Sequence, residues 1–265
     1  MRADLVKPTS GKGRYANANG IPLYHEEAGA GQPVLLLHGG IMDHQSWGNQ
    51  IPTLSQGFRV IAPDTRGHGR SGDGSEPFSY SLFADDFAAL CQELGISRTH
   101  VVGFSDGGCT GLILARRYPN LVARMVLIGT PYNTSNYYPG RVDGFAALTP
   151  ESLLQSVGPE FAEVVRKAEG QYRDSAAWRA FFEKLVHGLW TSEPTLKLAD
   201  LSEIAAPTLV LHAEREQSFA IEHSEAIAAT VQHGELKVVP DATHTAPQEA
   251  PEFVNDAIMR FLDGA

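Results

Sequence analysis

Ser105 stands at the centre of Gly103-Phe104-Ser105-Asp106-Gly107, a Gly-x-Ser-x-Gly pattern that follows the apolar run Thr99 to Phe104 and precedes a helical stretch, Gly108 to Tyr118. The chemistry this spacing serves is nucleophilic attack on a carbonyl carbon. A serine hydroxyl is a weak nucleophile, so it must protrude where a base and an electrophile both reach it. A sharp strand-to-helix turn presents it that way, and the turn crowds the residues two positions away on either side. Both are glycine here. The helix that follows aims free backbone N–H groups and its positive end at the same place.

The rest of the chain supplies the frame. Six short apolar runs punctuate it: Pro33 to His38, Phe58 to Pro63, Thr99 to Phe104, Met125 to Gly129, Thr208 to His212 and Leu236 to Val239. Runs apolar on both faces suit strands buried in a parallel sheet. Helical patterns lie between most of them, at Phe83 to Leu94, Gly108 to Tyr118, Ala220 to Thr230 and Pro251 to Leu262. This alternation predicts an α/β class with helices on both faces of the sheet. Asn19-Gly20, between Gly13 to Ala18 and Ile21 to Glu27, reads as a hairpin turn, and residues 1–12 as a loose tail. The alternation breaks between 131 and 206. That stretch carries helical patterns (Glu151 to Val157, Ala176 to His187) and many aromatics but no convincing strand. It is too long for a simple crossover. The expected division is a core of 1–130 and 207–265 with an inserted helical cap, 131–206.

Composition narrows the function. The 265 residues carry 21 basic and 31 acidic side chains, a formal charge of −10. Such a chain lacks the basic footprint of nucleic-acid binding. Two cysteines, Cys91 and Cys109, cannot make a disulfide framework, and they fit a reducing cytosol. The N-terminus shows no apolar run of signal-peptide type, and no stretch approaches a membrane span. A cytoplasmic monomer or homodimer is the expectation.

Four motifs together resemble an α/β-hydrolase: Leu37-His38-Gly39-Gly40, Asp64 to Ser71, Gly103 to Gly108, and Pro240-Asp241-Ala242-Thr243-His244. The resemblance runs from Gly13 to Leu262 and is weakest in the cap. The Ser-Asp-Gly-Gly elbow is similar to that of valacyclovir-hydrolase-like esterases. The fold implied is a mostly parallel sheet of about eight strands.

The resemblance places the base on a loop after the last strand. Of ten histidines, His244 holds that position; His233 precedes the last strand and belongs at the opposite end of the sheet. For the acid, the family pattern is Gly-x-x-Asp after the penultimate strand. Here Ala213 takes the Gly position and Glu216 the Asp position, with Glu214 as the competing carboxylate. Either would orient the imidazole and stabilise its cation. The resemblance assigns the oxyanion donors to the backbone N–H groups of Gly40 and Asp106. Gly39-Gly40 in isolation reads as a plain strand-ending turn.

Three further readings follow. Asp64 to Ser71 has the residue types of a metal or phosphate loop. The family implies a packed structural turn there, and no metal site is expected. The Asp106 carboxylate either bonds to nearby backbone or attracts a cationic group on the substrate. Trp178, Trp190, Tyr137 and Tyr138 either line an acyl pocket or form the cap's own core. The reaction implied is hydrolysis of a small carboxylic ester through an acyl-enzyme, needing no cofactor. Lactone, amide or aminopeptidase, C–C bond and cofactor-free perhydrolase chemistry use the same triad. A non-catalytic receptor or a biosynthetic cyclase would keep only the pocket.

Overall fold

The computed structural model describes residues 13–264; the tail read at residues 1–12 lies outside them. Eight strands form one sheet: β1 (Arg14–Ala18), β2 (Ile21–Ala28), β3 (Gln32–Leu37), β4 (Phe58–Pro63), β5 (Thr99–Phe104), β6 (Val122–Ile128), β7 (Thr208–Ala213) and β8 (Gly234–Val239). Their order is β1-β2-β4-β3-β5-β6-β7-β8. The pairs β1–β2 and β2–β4 are antiparallel and the others are parallel. The β1–β2 turn is the hairpin expected at Asn19-Gly20, where both residues take positive φ, 47° and 82°. A type I′ turn requires this of both its central residues.

The helices are α1 (Ile51–Leu54), α2 (Tyr80–Glu93), α3 (Asp106–Arg117), α4 (Arg141–Ala147), α5 (Pro150–Ser156), α6 (Pro159–Glu169), α7 (Ser175–Phe182), α8 (Leu198–Leu201), α9 (Ile221–Thr230), α10 (Ala246–Glu249) and α11 (Pro251–Asp263). Helix α2 starts ahead of its apolar stripe because the Ser79 hydroxyl accepts from the Leu82 N–H and caps it. Between β6 and β7 the chain runs through α4 to α8. The pattern read as one helix from Ala176 to His187 divides into α7 and a π-helical segment, Glu183–Leu189. No helix among the described residues is long and apolar enough to cross a membrane.

Every residue of β5 and β7 is buried. That is expected of strands covered on both faces. One core cluster packs α2, α3 and the helices between β6 and β7 against one face of the sheet; the other packs α1 and α11 against the opposite face. Each fully buried Leu, Ile or Val in these layers contributes about 1.5–3 kcal/mol. The chain turns from β3 to β4 on one side of the sheet and from β5 to β6 on the other. A crevice therefore opens at the carboxyl ends of β3 and β5, the place where open α/β sheets bind ligands.

Candidate active site

Ser105 follows β5 and caps α3. Its backbone sits at φ 52°, ψ −116°. A non-glycine residue occupies that region only under strain. The strain is held by packing on both sides. A Cβ on Gly103 would lie 2.5 Å from the Gly107 carbonyl oxygen, and one on Gly107 would lie 2.0 Å from the Leu37 carbonyl oxygen. Leu37 pairs with Gly103 across β3 and β5, so the elbow is pressed against the end of β3. Only glycine fits there.

The parallel sheet puts the ends of β5, β7 and β8 on one edge. Glu216 lies just past β7 and His244 just past β8. Ser105 Oγ lies 3.1 Å from His244 Nε2, and His244 Nδ1 lies 2.8 Å from Glu216 Oε2. The other Glu216 oxygen accepts from the N–H groups of Gln217 and Ser218, both at 2.9 Å. Burial works against ionisation of Glu216, but the His244 imidazole and these N–H groups outweigh it and hold the carboxyl at about 2. Burial likewise opposes charge on His244, yet Glu216 outweighs it and moves the imidazole above its ordinary value. An ionised Glu216 beside Nδ1 fixes the tautomer with the proton on Nδ1, leaving Nε2 to accept from Ser105.

The competing acid is elsewhere: Glu214 accepts from the Asp241 N–H at 2.8 Å and is exposed. His233 is exposed just ahead of β8, where its carbonyl accepts from the Thr208 N–H, at the far end of the sheet from Ser105.

Gly40 stands at the carboxyl end of β3, against the nucleophile turn. A Cβ there would lie 2.5 Å from Asp106 Oδ2 and 2.5 Å from Trp190 Cζ2. Asp106 opens α3. The first N–H groups of a helix have no partner within it. The two backbone positions expected as oxyanion donors are thus neighbours at the mouth of the same crevice.

The Asp106 carboxylate bonds to two side chains distant in sequence rather than to nearby backbone. It accepts from Trp190 Nε1 at 2.7 Å and from the Tyr80 hydroxyl at 3.1 Å. Burial pushes it up to about 6, against the pull of these two donors. Sequence reasoning missed Tyr80. It sits on α2, and no local pattern links position 80 to position 106.

A cavity of about 960 Å³ opens over Ser105 and His244. Its size is near the upper end of the usual range for small-molecule sites. The aromatics weighed together separate here. Trp190, Tyr137 and Tyr138 line the cavity, with Phe145 and Phe161. Trp178 is buried and packs on Tyr172, Phe181 and Phe182, within the core of the β6–β7 helices.

The Asp64 loop is a packed turn. Asp64 accepts from the N–H groups of His44 and Arg70, both at 2.8 Å, and meets His44 Nδ1 at 2.6 Å. Asp43, His44 and Asp64 bring three ligand-type atoms within 4.8 Å of one another. Both Asp64 oxygens are already engaged by protein donors, and Asp43 accepts from the Gln45 N–H and from Gln171.

Comparison with known proteins agrees with this construction. A family model described as alpha/beta hydrolase fold matches residues 32–251. The chain is 27% identical to a putative non-heme chloroperoxidase of Synechocystis sp., over 93% of this chain and 96% of that protein. It is 27% identical to a bifunctional esterase/perhydrolase of Acinetobacter calcoaceticus, over 94% and 99% of the two chains. A thermophilic esterase from Thermogutta terrifontis, solved with malate bound, superposes with a TM-score of 0.79 at 28% identity, covering 96% of this chain and 98% of that one. The strained serine between β5 and α3, the three loops converging on it and the match across most of the chain lead to one conclusion: the chain belongs to the alpha/beta hydrolase family.

Proposed function

We propose that the protein is a serine hydrolase that cleaves a small carboxylic ester through an acyl-enzyme. The observation that carries this reading is the series Ser105 Oγ–His244–Glu216, at 3.1 and 2.8 Å, opening into the cavity. Ser105 Oγ attacks the ester carbonyl as His244 Nε2 takes its proton. Glu216 stabilises the imidazolium that forms. The N–H groups of Gly40 and Asp106 receive the negative charge on the tetrahedral oxygen. His244 then protonates the departing alcohol, and in the second half-reaction it activates a water that releases the acid and restores Ser105.

A second reading rests on the relatives. One is named an esterase/perhydrolase and another a chloroperoxidase. The same acyl-enzyme attacked by hydrogen peroxide instead of water would yield a peracid, with no change in the triad's roles.

The test is labelling with a fluorophosphonate followed by turnover of a panel of p-nitrophenyl esters, lactones and aminoacyl amides. Labelling confined to Ser105 and ester turnover lost in Ser105→Ala are the expected results. A folded protein that takes no label, or turnover that survives Ser105→Ala, overturns the proposal. Peracid formation in hydrogen peroxide at a rate above ester hydrolysis would favour the second reading.

A further inference from the structure

Two basic side chains line the cavity, Lys167 and Arg141, and they are held differently. Lys167 Nζ donates to Gln45 at 2.8 Å and pairs with Asp43 at 3.6 Å. Arg141 pairs with no carboxylate among the described residues. Its guanidinium makes one long hydrogen bond, 3.3 Å to Ser218 Oγ, and lies over the Phe145 ring, 5.1 Å from the centroid. Arg141 is exposed at the rim of the cavity, so the remaining donors of its guanidinium face solvent there rather than another protein group. The acidic side chains that line the cavity do not answer it. Asp43 serves Lys167, Asp106 serves Trp190 and Tyr80, and Glu249 accepts from Thr243 and Thr245. Glu160 belongs to the exposed first turn of α6. At that end of a helix a negative charge is favourable without a partner.

Local physics disfavours a cation at this position. Arg141 is the first residue of α4. There the helix dipole opposes positive charge. Among the described residues, the long Ser218 bond and the Phe145 ring are the only structural contacts of its side chain set against that cost, which makes the position a candidate for function. Arg141 is nevertheless firmly placed. Its N–H donates to the Tyr138 carbonyl, the Tyr138 N–H donates to the Ser218 carbonyl, and the Ser218 N–H donates to Glu216. Three hydrogen-bonded steps thus tie the guanidinium's segment to the acid that orients His244.

Resting on the ester-hydrolase reading, we propose that Arg141 binds a carboxylate on the substrate, remote from the scissile bond, so that the preferred substrates are half-esters of dicarboxylic acids. The planar fork of a guanidinium matches a carboxylate with two parallel hydrogen bonds. A single unpaired +1 charge balances one carboxylate; a phosphate dianion would call for a second free cation, and Lys167 is committed to Asp43. The size of the cavity leaves room for an acyl chain that spans from Ser105 to its rim.

The experiment compares kcat/KM for methyl half-esters of glutaric and adipic acid with that for neutral methyl esters of the same chain length, followed by acid release. The wild-type protein should prefer the half-esters by tenfold or more. Arg141→Gln should lower the ratio of acidic to neutral turnover by about 10- to 100-fold, the strength of a charge-assisted pair, and Arg141→Lys should recover part of it. Glutarate should inhibit neutral-ester hydrolysis competitively in the wild type and much more weakly in Arg141→Gln. Equal turnover of acidic and neutral esters by the wild type, or a preference that survives Arg141→Gln, overturns the inference. Failure of the ester-hydrolase reading looks different: Ser105 would take no fluorophosphonate, and neutral esters would not turn over at all.

Discussion

The indole N–H of Trp190, which precedes α8 in the β6–β7 connection, donates at 2.7 Å to the carboxylate of Asp106, the residue after the nucleophile. The roof of the cavity is therefore pinned to the elbow that it covers. Tyr80 donates to the other oxygen, so α2, the elbow and the roof meet on one half-buried carboxylate. Trp190→Phe leaves that oxygen without its donor, at a cost of about 1–3 kcal/mol. It should lower kcat/KM about tenfold by loosening the N–H of Asp106. The Asp106 carboxyl should also rise further above about 6. Thermal unfolding and a pH–rate profile, with Tyr80→Phe as the parallel variant, check this.

The triad variants should separate the two glutamates. Ser105→Ala should lose on the order of 10⁴- to 10⁶-fold in kcat. Glu216→Gln should lose about 10⁴-fold, because the wrong histidine tautomer is then favoured. Glu214 accepts from the Asp241 backbone, away from His244, so Glu214→Gln should leave kcat within a few-fold of wild type. A larger loss in Glu214→Gln than in Glu216→Gln would refute the acid assignment.

The pH dependence follows from His244, which must be neutral to accept the Ser105 proton. Its pKa is raised, burial being outweighed by Glu216, while the Arg141 charge pulls it down. The acid limb of kcat/KM should therefore lie above the ordinary histidine value of 6.5, with activity rising as pH rises through it. Arg141→Gln removes a charge that opposes protonation and should move the limb higher still.

Buried histidines set the stability profile. Burial holds His68 down at about 3 and His100 at about 4, and lowers His38 as well. Unfolded, each titrates near 6.5, so below that pH the unfolded chain binds more protons and stability falls as pH drops toward 4. His44 runs the other way. Burial opposes its charge, but the bond and charge of Asp64 outweigh it, and its pKa is raised. Its contribution is complete below about 6.5 and is lost as pH rises through the folded value. Melting temperature measured from pH 4 to 8 should show the acid fall, and His68→Gln should make it shallower.

Glycines of α3 and its elbow should divide sharply. A Cβ at Gly107 collides with the Leu37 carbonyl at 2.0 Å, whereas one at Gly111 meets Met125 Sδ at an ordinary 3.5 Å. Gly107→Ala should cost several kcal/mol or prevent folding. Gly111→Ala should be neutral or stabilising by about 0.5–1 kcal/mol, the helix propensity gained. Chemical denaturation of the two variants beside the wild type checks the contrast.

Much of the frame is local and so could be read along the chain. Strands such as Thr99 to Phe104 are apolar on both faces, the Asn19-Gly20 turn has its own residue signature, and the elbow is five consecutive residues whose glycines answer a steric demand inside the motif. The family resemblance carried Glu216 and His244 to their loops. Glu216 and Glu214 share one loop and differ in direction, which no pattern along the chain displays: one points to His244 Nδ1 and the other to the Asp241 backbone. The fate of the aromatics, the bond from Tyr80 to Asp106 and the solitary charge of Arg141 were not legible either. Each depends on contacts between segments far apart in the chain, and a side chain's surroundings at such separation follow from packing rather than from its neighbours in sequence.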